Sequence, residues 1–303
     1  MSAAKAKGAV GVVGLGIMGG AFAKHLAAAG WRVVGFDVDP ARCRVMAKLG
    51  VEIAKSAAAV AKEAPIVITS LPSPKALDAT VKALVGAKLP RRIVVEASTF
   101  TLADKERAEA ALRKAGHVML DSPVSGTGAQ AQTKDLVIYA SGDSKSIAKV
   151  KPIYADFSRK AYDLGAFGNG SRMKYVANHL VAIHNVASAE AMVLGMKAGL
   201  DPQVIFDTVK TGAGNSRIFE LRAPMMVSRH YKQATMKMSV WQKDMQVIGD
   251  YAKQIGCPTP MFSATLPVYA AALKSGHDEE DTAAVCAVLE KQAGVKRKRG
   301  KKR

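Results

Sequence analysis

Short apolar runs alternate with polar or amphipathic stretches through the first half of the chain. Six runs have the length and composition of buried strands, at residues 9–13, 31–36, 66–71, 93–95, 118–120 and 136–139. A helical pattern follows the first run over 17–29, and Asp39-Pro40 fits the N-cap and first residue of another helix. Strands that alternate with helices predict βαβ units and therefore a mostly parallel sheet.

The pattern changes near Gly170, because the rest of the chain has helical periodicity and no convincing strand. Helices are predicted over 171–199, 201–211, 216–229, 238–255, 260–275 and 279–291. We therefore expect an α/β Rossmann-type N-terminal domain over 1–166 and an all-α C-terminal domain over 167–291. A basic, disordered tail is expected over 292–303.

The composition is that of an ordinary globular protein, since 49% of the 303 residues are hydrophobic and 23% are charged. A net charge of +19 favours anionic small-molecule ligands. Seven of the last ten residues are Lys or Arg, but no aromatic side chains accompany them to stack on bases. We therefore interpret the tail as a solubilising terminus and do not expect a nucleic-acid partner.

The three cysteines, Cys43, Cys257 and Cys286, are far apart and form no CxxC pair. We expect neither a metal site nor a disulfide framework, and a reducing compartment is favoured. No segment combines the length and apolarity of a membrane span. The sequence thus predicts a soluble, cytoplasmic protein with no membrane partner.

A glycine-rich turn follows the first predicted strand. Its sequence, Gly14-Leu15-Gly16-Ile17-Met18-Gly19, has the G-x-G-x-x-G spacing, and Asp37 ends the second strand at the distance expected for a dinucleotide fingerprint. A carboxylate there can accept hydrogen bonds from ribose hydroxyls and would repel a 2′-phosphate. We predict that these seven residues bind a dinucleotide, with NAD preferred over NADP; Arg42 and Arg44 nearby weaken that preference.

The first helix of the second half is apolar almost all round, which indicates burial. Met173, Val176, Leu180 and Ile183 are predicted to form one packed face. Lys174 lies on a different face, on one stripe with Asn178 and Asn185. Two interpretations stay open. Lys174 is either a buried group whose desolvation favours the neutral amine, suited to proton transfer, or a first-turn residue with its ammonium in water.

Four segments, in a fixed order, carry a family resemblance. They are Gly14–Gly19, the loop Asp121-Ser122-Pro123-Val124-Ser125-Gly126-Thr127, the segment Gly168–Lys174 with Asn178, and Lys243-Asp244. They resemble the GLGxMG opening, DAPVSGG substrate loop, GxGxxxK motif and late KD pair of the β-hydroxyacid dehydrogenase family. The resemblance extends to about residue 291 and implies hydride transfer between a nicotinamide cofactor and a small, anionic hydroxy acid.

The resemblance also assigns roles to single residues. Lys174 would be the catalytic acid/base and Asn178 would orient the substrate. Ser125 and Gly126 would bind the substrate carboxylate, partly through backbone N–H groups, and Thr127 would also contact the substrate. Thr127 departs from the family's second glycine and adds bulk and a hydroxyl.

Further cofactor contacts follow from the same resemblance. Leu71, Pro72 and Thr99 lie in segments similar to the family's cofactor-lining loops, and Lys243 would lie near the nicotinamide. A looser similarity around Asn215 and Ser216 points to the L-threonate dehydrogenase branch, where these two residues would contact substrate hydroxyls or simply cap a helix.

Two other functions stay open at this point. One is a non-catalytic dehydrogenase-fold protein that binds through its basic tail, although such a protein would have no need of Lys174. The other is a 6-phosphogluconate-type dehydrogenase, although the helical domain is short for that enzyme. The apolar helical domain also predicts a homodimer or homotetramer.

Overall fold

The computed structural model describes residues 7–297, which form two compact units that divide between Tyr175 and Val176. A parallel six-stranded sheet forms the centre of the first unit. Its strands are β1 (Ala9–Val13), β2 (Arg32–Phe36), β3 (Glu52–Ile53), β4 (Ile66–Thr69), β5 (Ile93–Glu96) and β6 (Val118–Asp121). Their order, β3-β2-β1-β4-β5-β6, is that of a doubly wound dinucleotide-binding sheet.

Helices connect the strands of this sheet. They are α1 (Ile17–Ala28), α2 (Pro40–Ala47), α3 (Ala57–Glu63), α4 (Pro74–Gly86) and α5 (Leu102–Lys114). Asp39 caps α2 by accepting a hydrogen bond from the Ala41 amide, with Pro40 in the first turn, as the sequence predicts. Two apolar clusters fill the spaces between sheet and helices, and they contain Phe22 and Leu77, respectively.

A smaller sheet completes the first unit. It contains β7 (Val124–Ser125), β8 (Val137–Ala140) and β9 (Lys160–Asp163), with β7 antiparallel and β9 parallel to β8. The helices α6 (Gly128–Gln132) and α7 (Ser144–Phe157) connect these strands. The sequence pattern predicts β8 but not β3, β7 or β9, because these strands are short or largely exposed.

The described part of the second unit is helical, and an isolated bridge between Lys237 and Asp281 is its only β pairing. Its elements are α8 (Asn169–Lys197), which begins in the first unit, α9 (Pro202–Val209), α10 (Arg217–Ser228), α11 (Met238–Gln254), α12 (Pro260–Lys274), a 3-10 helix (Thr282–Ala284) and α13 (Val285–Gln292). The Rossmann-type region followed by an all-α region is therefore confirmed.

Buried polar side chains are paired inside the helical unit. Asn185 on α8 donates to the Tyr269 hydroxyl at 3.0 Å and to the Thr282 carbonyl at 2.9 Å. Arg222 and Asp281 form a buried ion pair at 2.8 Å. These hydrogen bonds and this ion pair offset part of the cost of burying polar side chains in the helical unit.

Some predictions concern the ends of the units. The predicted boundary at residue 166 lies before α8 and stays a prediction. Of the predicted disordered tail, residues 298–303 lie outside the described residues, whereas Arg297 donates to the Met226 and Val227 carbonyls at 2.7 Å. Among residues 7–297, no helix has the length and apolar character that crossing a membrane requires.

Candidate active site

The glycines of the fingerprint turn have different physical roles. Gly14 has φ +89°, and a Cβ there would lie 2.1 Å from the Ser70 carbonyl oxygen. A Cβ on Gly19 would lie 1.9 Å from the Gly14 carbonyl oxygen. At Gly16, the N-cap of α1, a Cβ would meet only the Arg42 side chain. Gly14 and Gly19 are therefore required by the fold, whereas Gly16 leaves the start of α1 open to a phosphate.

Asp37 is fixed directly beside this turn. Its carboxylate follows β2 and accepts the Leu15 amide at 2.7 Å and the Asp39 amide at 2.8 Å. Arg42 lies against Gly16 and pairs with Asp39 at 3.4 Å. The turn therefore combines a helix N-terminus, a cation and a fixed carboxylate, which fits the phosphates and a ribose of a dinucleotide.

The two predicted cofactor loops are tied together by a buried carboxylate. Glu96, at the end of β5, accepts the Thr69 hydroxyl and the Ser98 amide, both at 2.6 Å. The Ser98 hydroxyl in turn accepts the Leu71 amide at 2.8 Å. Leu71 follows β4, next to the switch point between β1 and β4 where ligands of such sheets bind.

Pro72 and Thr99 lie in the same two loops, at the carboxyl edge of the sheet. Leu15, Ile17 and Met18 complete the fingerprint turn and the start of α1, and the Leu15 side chain packs in the core while Ile17 is exposed. The first unit therefore gathers every predicted cofactor residue except Lys243.

The predicted substrate loop lies beside the cofactor turn. Ser125 ends β7, and Gly126 has φ +137°, a conformation that favours glycine. Thr127 caps α6 in a capping box with Gln130, so its hydroxyl serves the helix. A Cβ on Gly128 would lie 2.5 Å from Ile17 Cγ2, which places the start of α6 against the start of α1.

Lys174 is buried in the first turns of α8, with only 7% of its surface exposed. This burial contradicts the interpretation in which the ammonium of Lys174 lies in bulk water. The next residue, Tyr175, donates its hydroxyl to the Phe100 carbonyl at 2.6 Å. That bond ties α8 to the loop that follows β5, close to Thr99 in the chain.

The second unit contains the remaining two predicted site residues, Asn178 and Lys243. Asn178, one turn beyond Lys174 on α8, donates to Asp244 Oδ2 at 2.9 Å, and both are buried. Lys243 Nζ lies 3.4 Å from Asp244 Oδ1. The KD pair on α11 and the amide on α8 are therefore in contact through Asp244, whose role the sequence did not assign.

The predicted packed face of α8 is wrong. Three of its four residues, Met173, Val176 and Leu180, are exposed, at 41%, 58% and 47%, and the fourth, Ile183, is half-buried. The stripe that contains Lys174 and Asn178 is buried instead. The polar stripe can be buried because its members find partners, such as Asp244 for Asn178.

In the segment that suggested the L-threonate branch, Ser216 is the N-cap of α10 and Asn215 bonds to a side chain of the same helix. The Ser216 hydroxyl accepts the Phe219 amide at 3.0 Å, and Asn215 donates to Glu220 at 2.7 Å. No group of three potential metal ligands occurs among residues 7–297.

Sequence reasoning missed a buried cluster around Asp121. Lys105 and Asp121 form an ion pair at 2.8 Å in which both side chains are fully buried. The available signal was the position of Lys105 on the inner stripe of α5, in helical register with Ala108 and Leu112.

Comparisons with known proteins agree with this arrangement. A family model described as the NAD binding domain of 6-phosphogluconate dehydrogenase matches residues 9–165. A second, described as NAD-binding of NADP-dependent 3-hydroxyisobutyrate dehydrogenase, matches residues 168–289. The L-threonate dehydrogenase of Cupriavidus necator is 30% identical over 92% of this chain and 95% of its own length.

Solved structures give the same result. The 3-hydroxyisobutyrate dehydrogenase of Salmonella typhimurium superposes with a TM-score of 0.84 at 30% identity, covering 92% of this chain and 99% of that one. That of Mycobacterium tuberculosis, solved with L-serine, has a TM-score of 0.84 at 28% identity, over 93% and 98% of the two chains. The chain belongs to the β-hydroxyacid dehydrogenase family and is an NAD(P)-dependent oxidoreductase of hydroxy acids.

Proposed function

We propose that this protein catalyses the reversible oxidation of a small polyhydroxy acid, with L-threonate as the first candidate, and that Lys174 is the general acid/base. The observation that carries the proposal is the burial of Lys174 in the same compact unit as the fingerprint turn and the Ser125–Thr127 loop. A desolvated lysine in the same unit as a loop proposed to bind the substrate's carboxylate suits proton exchange with a substrate hydroxyl.

The roles of the protein's residues follow from this arrangement. Lys174 Nζ accepts the substrate's hydroxyl proton during oxidation and returns it to the alkoxide during reduction. The bound nicotinamide cofactor supplies the hydride acceptor or donor. Ser125 and the Gly126 amide hold the substrate carboxylate, and Asn178 orients the substrate. Thr127 shapes that loop by capping α6.

We also propose that NAD is preferred over NADP. The support is the Asp37 carboxylate, held at the end of β2 by two backbone amides. Its position beside the turn suits ribose hydroxyls and opposes a second negative charge. Lys243 is assigned to the nicotinamide end of the cofactor by the resemblance of the KD pair.

The choice of L-threonate is supported by relatives of that name, including the enzyme from Pectobacterium atrosepticum at 31% identity over 93% of this chain. An NAD-dependent L-serine dehydrogenase of Pseudomonas aeruginosa at 29% identity makes L-serine the second candidate. The homo-oligomeric state and the cytoplasmic location stay predictions of the sequence.

The test is a comparison of initial rates with L-threonate, L-serine, D-glycerate, 3-hydroxyisobutyrate and 6-phosphogluconate, each with NAD and with NADP. We expect the highest kcat/KM for L-threonate with NAD. A higher value for another acid would replace the substrate but keep the reaction. No turnover with any acid, in protein that binds NAD, would contradict the proposed function and favour a non-catalytic binding protein.

A further inference from the structure

We propose that Lys105 and Asp121 are positioning residues for Lys174, acting through the first turn of α8. The inference rests on the general acid/base role of Lys174 in the proposed function. It extends that function to two fully buried side chains outside the motif that contains Lys174.

The Asp121 carboxylate is the centre of the cluster. Oδ1 accepts Lys105 Nζ at 2.8 Å and the Ser171 hydroxyl at 2.9 Å, while Oδ2 accepts the Ser171 backbone amide at 2.7 Å. The Ser141 hydroxyl links the cluster to the preceding residue of α8, because it accepts the Gly170 amide at 2.9 Å. Two amides of the first turn are therefore held by side chains from outside the helix.

α8 needs these external partners. The first amides of a helix have no partner within it, and the residue before α8 is Gly168, which has no side chain to supply one. The helix start also lies directly on the strands, since a Cβ on Gly170 would be 2.2 Å from the Tyr139 carbonyl oxygen and 2.7 Å from that of Asp121. The start of α8 is thus fixed in position by packing and by hydrogen bonds.

The cluster fixes two parts of the proposed active site together. Lys174 is one helical turn beyond Ser171, so the Asp121–Ser171 bonds set where its backbone lies. Asp121 also ends β6 immediately before the loop that leads to Ser125 and Gly126. One carboxylate therefore sets the position of the proposed base relative to the loop that holds the substrate.

Lys105 allows the Asp121 carboxylate to be buried while it bonds to the start of α8. A fully buried charge is strongly destabilising unless it is paired, and Lys105 supplies the partner from α5. Replacing both members of a buried pair with apolar groups is often tolerated, whereas removing one leaves an uncompensated charge. A double substitution of Lys105 and Asp121 can therefore change the position of Lys174 without leaving a buried, unpaired charge that would unfold the protein.

The experiment compares two double variants that differ at one position. Lys105→Met with Asp121→Asn keeps an acceptor for the Ser171 amide, whereas Lys105→Met with Asp121→Leu removes it. We expect the Asn variant to retain kcat within about fivefold of the wild type. We expect kcat of the Leu variant to fall about 100-fold, since a displacement near 1 Å has that effect on catalysis. KM for the acid and Kd for NAD should stay near wild-type values in both.

Equal kcat values for the two folded variants would overturn the inference, as would a change confined to KM. If the Leu variant does not fold, Ser171→Ala replaces it, because this substitution removes only the hydroxyl bond to Asp121. We expect Ser171→Ala to lower kcat about tenfold with KM unchanged. A wild-type kcat in Ser171→Ala would refute the inference. Lys174→Met is measured in parallel. If Lys174→Met is inactive while the variants of Lys105, Asp121 and Ser171 are fully active, only the positioning role is refuted. If Lys174→Met is active, both the proposed role of Lys174 and the positioning role are refuted.

Discussion

Alanine substitutions at Gly16 and Gly19 should have different effects: Gly16→Ala should weaken cofactor binding, and Gly19→Ala should destabilise the fold. In Gly19→Ala the new Cβ would lie 1.9 Å from the Gly14 carbonyl oxygen, where real Cβ contacts stay above 3.0 Å. Relieving this overlap must move the backbone of the turn, an overpacking that costs roughly 1–3 kcal/mol or more. The gain from alanine over glycine inside a helix is at most about 1 kcal/mol and only partly offsets that cost.

The same change at Gly16 meets a different environment. The new Cβ would contact Arg42 Nη1, the end of a flexible and partly exposed side chain that can move away. The loss of glycine at the N-cap of α1 costs about 1 kcal/mol or less. The methyl group would, however, occupy the open approach to the first amides of α1, where we place the cofactor's phosphates.

The two variants are compared by thermal unfolding without cofactor and by calorimetric titration with NAD. One kcal/mol corresponds to a shift of about 2–4 °C in Tm for a domain of this size. We expect the Tm of Gly19→Ala to be lowered more than the Tm of Gly16→Ala. We expect Gly16→Ala to weaken NAD binding at least tenfold, about 1.4 kcal/mol. Wild-type NAD affinity in Gly16→Ala, or a reversed order of Tm values, would refute this account of the turn.

Three further predictions concern other parts of the chain. Asp37→Asn removes the charge that opposes a 2′-phosphate, so the NAD-to-NADP ratio of kcat/KM should fall at least tenfold, about 1.4 kcal/mol; an unchanged ratio would contradict the assignment. Arg222→Met leaves Asp281 buried with hydrogen-bond donors but without an ion-pair partner, which should destabilise the protein by about 3–5 kcal/mol in denaturant unfolding; a loss below about 1 kcal/mol would show that the pair behaves like an exposed one. Burial raises the pKa of Cys286 to about 12, so its thiolate is scarce at neutral pH, and a thiol reagent should label the exposed Cys257 in native protein but not Cys286; equal labelling of both would disprove this.

The larger features of the fold could be predicted because they depend on local sequence. Alternating buried strands and helices predict the parallel sheet, and the G-x-G-x-x-G spacing with Asp37 predicts the turn that the structure contains. The strand β3 could not be predicted, since Glu52 and Ile53 are both exposed and are held only by pairing with β2. Strands of this kind depend on their neighbours in space rather than on their own pattern.

The candidate site could likewise be predicted only where it depends on local sequence. The motif around Lys174 could be found from spacing, but the face of α8 that is buried could not, because Met173 and Val176 are as apolar as a core requires and are nevertheless exposed. Asp121 and Lys105 are 16 residues apart and meet only when α5 packs beside β6. A single sequence carries no direct signal for such a pair, apart from a charged residue at an inner position of a helix.

The most direct test of the central claim is the rate of the chemical step in Lys174→Met. The variant would be mixed with NAD and L-threonate, or the acid preferred in the substrate comparison, and reduction of the nicotinamide followed in a single turnover. Lys149→Met, an exposed lysine of α7, serves as the matched control. We predict a fall of about 100- to 10,000-fold for Lys174→Met with NAD affinity unchanged, and a wild-type rate for the control. A rate within about tenfold of the wild type, below the range of general acid/base catalysis, would contradict the assignment of Lys174 as the proton-transferring group.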